Sequence, residues 1–172
     1  MTLQEISALI RDIPDFPIPG ILFKDITPLL ANPKALQFVS EKMAEPFLNQ
    51  GITRIAACES RGFLFGPSIA QILNAGFVPV RKPGKLPYKT LSQTYDLEYG
   101  QDTLQIHEDA VVGQKVLLVD DLLATGGTLG ATEKLIEQGG GQIVGCSLLI
   151  ELNFLEGRKK LGSYPIHSIL QF

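Results

Sequence analysis

The run Val116-Leu117-Leu118-Val119-Asp120-Asp121-Leu122-Leu123-Ala124-Thr125-Gly126-Gly127-Thr128 constrains the fold of this chain more than any other segment. Its first four residues, valine and leucine only, read as a strand buried on both faces, the situation of an interior strand in a parallel sheet covered by helices. Two carboxylates follow, at the carboxyl edge where open α/β sheets take their ligands. Ala124 to Thr128 can then wrap an anion. The glycines let backbone N–H groups approach closely, the threonines add hydroxyl donors, and the next helix presents its positive N-terminus. Carboxylates suited to sugar hydroxyls beside a nest suited to phosphate are the pattern expected for a ribose 5-phosphate. No lysine follows the glycines as in a Walker loop, and the Rossmann glycine spacing is absent. The plain alternative is a strand, a solvated Asp-Asp turn and a helix cap.

The rest of the chain agrees with an α/β fold. Thr2-Leu3-Gln4-Glu5 has capping-box form, and Leu3, Ile6, Leu9, Ile10 and Ile13 follow helical spacing, which predicts a first helix ending before Pro14. Asp15 to Leu30 is apolar but interrupted by Pro17, Pro19 and Pro28, and reads as a flap. Asn32-Pro33 opens a second helix with Leu36, Val39, Met43 and Phe47 as its buried stripe. Apolar runs predict further strands over 52–58, 77–80, 143–152 and 166–172, with helices after residue 62 and up to about Gln138 before Gly139-Gly140-Gly141. The stretch from Arg81 to Gly100 has little apolar periodicity and reads as a long loop or exposed hairpin, which favours a lid.

Composition narrows the function classes. At 172 residues the chain is the length of one domain and can bury a core without disulfides or a structural metal. The net charge of −3 argues against a nucleic-acid or anionic-membrane binder working through bulk charge. Cys58 and Cys146 sit in apolar runs and read as buried thiols of a reduced, cytoplasmic protein. The N-terminus lacks the pattern of a signal peptide, and no apolar stretch approaches the length of a membrane span. His107 and His167 have no metal-site spacing around them, and Ser60 reads as a loop donor rather than a nucleophile.

Two more segments carry chemistry. Glu59-Ser60-Arg61-Gly62-Phe63 follows a strand and opens a helix, so its amides and Arg61 could hold a second anion; on this segment alone, Arg61 is equally a surface residue and Gly62 a plain turn. Arg81-Lys82-Pro83-Gly84-Lys85-Leu86-Pro87 is a basic cluster in an acidic chain, usually a solvated loop but here leading into the lid segment.

The segment 116–128 closely resembles the phosphoribosyl pyrophosphate (PRPP) signature of the type I phosphoribosyltransferases. Together with Asp15-Phe16-Pro17 through Phe23-Lys24-Asp25, Glu59 to Pro67, Arg81 to Pro87 and Leu97 to Gly100, it makes nearly the whole chain similar to the family's adenine-using branch. The resemblance implies one domain over residues 1–172: a mainly parallel sheet flanked by helices, an N-terminal helix and base-binding hood over 1–33, and a flexible catalytic lid over 81–100. It implies transfer of the 5-phosphoribosyl group of PRPP to N9 of adenine, giving AMP and pyrophosphate in purine salvage, with Mg²⁺ bound along with PRPP. Asp120 and Asp121 would contact ribose hydroxyls, and Ala124, Thr125, Gly126, Gly127 and Thr128 the 5′-phosphate. Glu59, Ser60, Arg61, Arg81, Lys82 and Lys85 would serve the pyrophosphate. Arg81 would reach a neighbouring subunit's site in a homodimer. The adenine contacts fall on Leu22, Phe23 and Lys24, with Phe23 stacking on the ring. Glu98 would manage the purine proton, beside Tyr99, which packs against or shields the ligand. Without the resemblance, Phe23 reads as core and Glu98 as a charge on an exposed hairpin.

Two other readings compete. A ligand-sensing regulator could keep the PRPP pocket without chemistry, but such proteins usually carry a nucleic-acid-binding element, and this acidic chain has no spare segment for one. A phosphoribosyltransferase for another base is the third; the lysine that 6-oxopurine enzymes commonly place beyond the PRPP motif is missing from Gly139 to Asn153.

Overall fold

The computed structural model describes residues 1–96 and 100–172. Helix α1 spans Leu3–Ser7, and its Thr2–Glu5 capping box is formed, with the Thr2 N–H donating to Glu5 Oε2 at 2.7 Å. The expected continuation of this helix to residue 13 is not found. Arg11–Pro14 is strand β1, paired antiparallel with β2, Leu22–Asp25, so that Ile13 faces Phe23 in register. Tertiary pairing has overridden a local helical period. The two strands form a hood whose connection is pinned by the Gly20 N–H donating to the Asp15 carboxylate at 2.8 Å. The prolines keep every element here short, and even α2, Thr27–Leu30, is a single turn with Pro28 where its missing N–H costs nothing.

Helix α3, Pro33–Ala44, starts where Asn32 predicts: its side chain accepts from the N–H groups of Lys34 and Ala35. Ala35, Val39 and Met43 are fully buried, Leu36 only partly, and Phe47 is buried beyond the helix end. Strand β3, Arg54–Cys58, leads through a 3₁₀ turn, Arg61–Leu64, into α4, Gly66–Leu73, and then to β4, Gly76–Val80. The 81–100 stretch resolves toward a hairpin. β5, Thr90–Asp96, pairs antiparallel with β6, Gln101–His107, and Arg81 bridges to Gln105. β7 is Lys115–Leu123, α5 Gly127–Gln138, β8 Gln142–Glu151 and β9 Ile166–Gln171.

β7 occupies the centre of a five-stranded parallel sheet of order β4-β3-β7-β8-β9. Its side chains alternate between two cores. Leu117 and Val119 pack with Val39, Met43, Ile55 and Ile69 under α3 and α4, while Val116 and Leu118 pack with Leu104, Ile106, Leu135 and Ile136 under α5 and the hairpin. Full burial of each such side chain contributes about 1.5–3 kcal/mol. From the β3/β7 boundary the chain order runs outward to β4 on one side and through β8 to β9 on the other, which makes that boundary the switch point where such sheets open a ligand crevice.

Replacing Asn32 by Ala should cost about 1 kcal/mol by leaving two α3 N–H groups uncapped. Denaturant unfolding checks this, with a lower midpoint and unchanged slope expected; an unchanged midpoint would show the cap to be idle.

Candidate functional site

All four loops that leave the carboxyl ends of β3, β4, β7 and β8 open on one edge of the sheet. A cavity of about 480 Å³ lies there, lined by Glu59, Ser60, Arg61, Lys82 and the continuous stretch Asp120 to Leu129. Cys58 also lines it; Cys58 and Cys146 are both buried, as their apolar runs predict, and burial pushes both thiol pKa values up.

The carboxylate pair is set deeper than the sequence suggests. β7 does not end before Asp120 but continues to Leu123, because β8 goes on pairing with it through Leu122↔Ile150 and Leu123↔Glu151. Asp120 and Asp121 are therefore buried, 8% and 4% exposed. Burial, and after it the charge of Asp121, raises the Asp120 pKa well above the carboxylate range; burial also raises that of Asp121, against the opposing pull of Arg61. Asp120 Oδ1 accepts the Asp121 N–H at 2.9 Å, and Asp121 Oδ2 lies 2.8 Å from Arg61 Nε. Gly62 permits this packing: a Cβ there would sit 3.0 Å from Asp120 Oδ1 and 3.1 Å from the Val119 carbonyl.

The glycine turn has the form expected of an anion cradle. Gly126 takes φ 80° as the N-cap of α5, and among the described residues no side chain caps that end. The first N–H groups of a 12-residue helix thus face the cavity without an internal partner. Thr128 supplies a hydroxyl 3.3 Å from the Tyr95 hydroxyl, so the hairpin touches the cradle directly.

The two basic loops are held by acids. Glu59 accepts from the Lys82 N–H and from Arg81 Nε, each at 3.0 Å, and these bonds hold its pKa low. Lys82 Nζ pairs with Asp102 at 3.0 Å. Of the predicted basic residues, Lys82 and Arg61 line the cavity; Arg81 and Lys85 do not, the first reaching instead toward the Lys85 carbonyl. Leu22, Phe23 and Lys24 stand on the hood strand β2, outside the cavity lining. Arg61 joins the two regions: its guanidinium lies 5.4 Å above the Phe23 ring, which Phe16 meets edge-on at 5.1 Å. Lys24 is drawn to Asp12 at 2.7 Å and to the Phe172 ring. Glu98 and Tyr99 lie outside the described residues. Sequence reasoning missed Tyr95, Asp102 and the Leu122–Leu123 wall. Only the alternation of β5 and β6 could have pointed to the first two.

Asp120→Asn removes a buried charge while keeping an oxygen for the Asp121 N–H. Since burial lifts the folded-state pKa above the unfolded one, the native protein loses stability as pH rises through the folded value, and the variant escapes that loss. Asp120→Asn should melt a few degrees above the native protein at about pH 8, with the gain shrinking toward about pH 5. A variant that melts lower throughout would show the charge to be well compensated.

The family model of the phosphoribosyl transferase domain matches residues 25–166. An adenine phosphoribosyltransferase of Rhodopirellula baltica is 58% identical over 164 residues, covering 95% of this chain and 80% of the relative. The crystal structure of adenine phosphoribosyltransferase from Thermoanaerobacter pseudethanolicus is 56% identical, with a TM-score of 0.96 over 99% of this chain and 100% of that one. The Saccharomyces cerevisiae enzyme, solved with an imino-altritol bisphosphate and adenine, is 41% identical with a TM-score of 0.92 over 98% of both chains. The central parallel sheet, the cavity at its switch point and likeness along the full length agree, and the chain belongs to the adenine phosphoribosyltransferase family.

Proposed function

We infer that the chain carries out its family's reaction, transfer of the 5-phosphoribosyl group of PRPP to N9 of adenine with release of pyrophosphate, in the cavity between the loops that follow β3 and β7. One observation carries this reading: the carboxylate pair, the uncapped glycine turn and Arg61 share a single cavity large enough for a phosphorylated pentose.

The parts divide the substrate between them. The amides from Thr125 to Thr128 take the 5′-phosphate. Asp120 and Asp121 take ribose hydroxyls, whose O–H donors suit buried acceptors, and binding offsets part of what it costs to bury the acids. Glu59, Ser60, Arg61 and Lys82 face the diphosphate, with Arg81 and Lys85 next to them. The leaving group gains charge as the C1–O bond breaks and C1 becomes oxocarbenium-like, so donors aimed at the diphosphate stabilise the transition state more than the ground state. Arg61 must exchange Asp121 for substrate as PRPP enters.

Magnesium suits this donor set. Two neighbouring carboxylates with substrate phosphates are the hard-oxygen environment in which Mg²⁺ keeps several waters, so Asp120 and Asp121 would help hold an ion that arrives with PRPP. When bound it supplies charge neutralisation on the departing diphosphate.

Adenine is read by backbone. β2 pairs only with β1 among the described residues, which leaves its other edge without a strand partner, and Leu22 and Lys24 are the proposed source of the N–H and C=O groups that read the base. Adenine presents a 6-amino donor and an N1 acceptor, which such an edge complements. Phe23 offers a ring for stacking. As N9 bonds to C1 the purine must lose a ring proton, and Glu98 is the proposed acceptor. β5, which leads toward it, passes the phosphate cradle: a Cβ at Gly127 would lie 3.3 Å from the Tyr95 ring and 3.7 Å from the Asp96 carbonyl.

Two further features of the proposal concern setting. Arg81 is paired with Glu59 of its own chain, and a homodimer in which it also reaches the neighbouring site is part of the proposal. Buried, unpaired Cys58 and Cys146 suit the reducing cytoplasm. No helix among the described residues is long and apolar enough to cross a membrane.

A base panel tests the function. With PRPP and Mg²⁺, adenine should give AMP at a kcat/KM at least about a hundredfold above hypoxanthine, because hypoxanthine leaves one buried donor and one acceptor mispaired. Equal rates would overturn backbone reading of the base; PRPP binding with no product from any base would overturn the enzyme.

A further inference from the structure

The segment after β8 has no part in the site as derived so far, yet it presses on the phosphate cradle from behind. β8 ends at Glu151, and a 3₁₀ turn, Gly157–Lys160, follows before β9. Gly157 is buried and does not line the cavity. Its backbone lies directly against the cradle: an added Cβ would collide with the Ala124 carbonyl, come within 2.8 Å of Leu123 Cδ1 and lie 3.1 Å from the Gly126 nitrogen. The contact is mutual, since a Cβ on Gly126 would fall 2.5 Å from the Gly157 carbonyl oxygen. Two glycine backbones thus touch, with no side chain on either to give way.

The turn is anchored by one arginine. Arg158 makes a bidentate pair with Glu151, its Nη2 donating to Oε2 at 2.6 Å, and its Nη1 donates to the Ile166 carbonyl at 3.1 Å. Nη2 also reaches Ser168 Oγ at 3.2 Å, and the Ser168 hydroxyl donates to Glu151. Glu151 is only 4% exposed and stands in register with Leu123, the residue before the cradle. A planar fork on a buried carboxylate leaves the turn little freedom. Further along, the Gly162 N–H and the Tyr164 hydroxyl donate to Glu133 of α5 at 3.1 and 2.9 Å, so the same segment also holds the helix that the cradle opens.

We propose that Gly157, with the Arg158–Glu151 clamp that fixes it, is a positioning element for the phosphate cradle: it sets the backbone of Ala124 to Gly126 so that the amides converge on the 5′-phosphate. This rests on the reading of residues 124–128 as the 5′-phosphate site. None of the three residues touches substrate. Their effect is on phosphate-bearing pentose ligands and not on the pyrophosphate loop, which belongs to β3.

Calorimetric titration of AMP and of pyrophosphate into the native protein, Gly157→Ala and Arg158→Lys tests this. Both variants should bind AMP at least about tenfold more weakly, while pyrophosphate affinity stays within about twofold, because a cradle displaced by a fraction of an ångström loses aligned donors. KM for PRPP should rise more than kcat falls. If Gly157→Ala does not fold, Arg158→Lys, which keeps the charge but loses the fork, carries the same readout. AMP affinity unchanged in a folded variant, or AMP and pyrophosphate affinity falling together, overturns the positioning role. A native protein that fails to bind AMP overturns the phosphate-site reading itself, and this inference with it.

Discussion

Burying two adjacent carboxylates at the end of the central strand is the constraint on which the rest of this molecule depends. Asp120 and Asp121 sit inside β7, where β3 pairs only as far as Val119 and β8 continues past them to Leu123, in a place where charge is disfavoured. The surrounding structure makes that position tenable. Gly62 lets the β3 loop close over Asp120 without a side chain in the way, and Arg61 brings a cation to Asp121. Burying the acids, which the proposal assigns to ribose hydroxyls, has a cost in stability that two well-packed cores can carry.

From that pair outward, parallel topology does the assembling. Because every strand of the sheet runs the same way, the loops after β3, β4, β7 and β8 arrive at one edge. They bring together Arg61, the basic Arg81–Lys82 pair, the glycine turn and the Gly157 turn packed against it, to which the proposal assigns the diphosphate and the 5′-phosphate. The hood, on whose strand β2 the proposal places base reading, is coupled to the cavity through the contact of Arg61 with Phe23. The basic residues of this edge already have acid partners, Glu59 for Arg81 and Asp102 for Lys82.

Most of the site was legible in the sequence because it is local. A buried strand, two acids and a Thr-Gly-Gly-Thr turn lie within thirteen consecutive residues, and the helix start at Asn32 and the sheet strands were equally short-range signals. What escaped depends on pairing between distant segments. The helical period of Leu3 to Ile13 gave way to the ribbon that Arg11–Pro14 forms with Leu22–Asp25. The length of β7 beyond Val119 is decided by β8, and the Arg158–Glu151–Ser168 clamp exists only because β8 and β9 bring its members together. Tyr95 meets Thr128 for the same reason, through the hairpin's docking on α5.

The most direct measurement is a crystal structure of the protein with AMP bound. The phosphate should accept hydrogen bonds from the amides of Thr125 to Thr128, both ribose hydroxyls should donate to Asp120 and Asp121, and the purine should lie against Phe23 with Arg61 moved off Asp121. AMP seated elsewhere, or seated there with its phosphate turned toward Glu59 and Arg61 instead of the glycine turn, would contradict the assignment of the cavity.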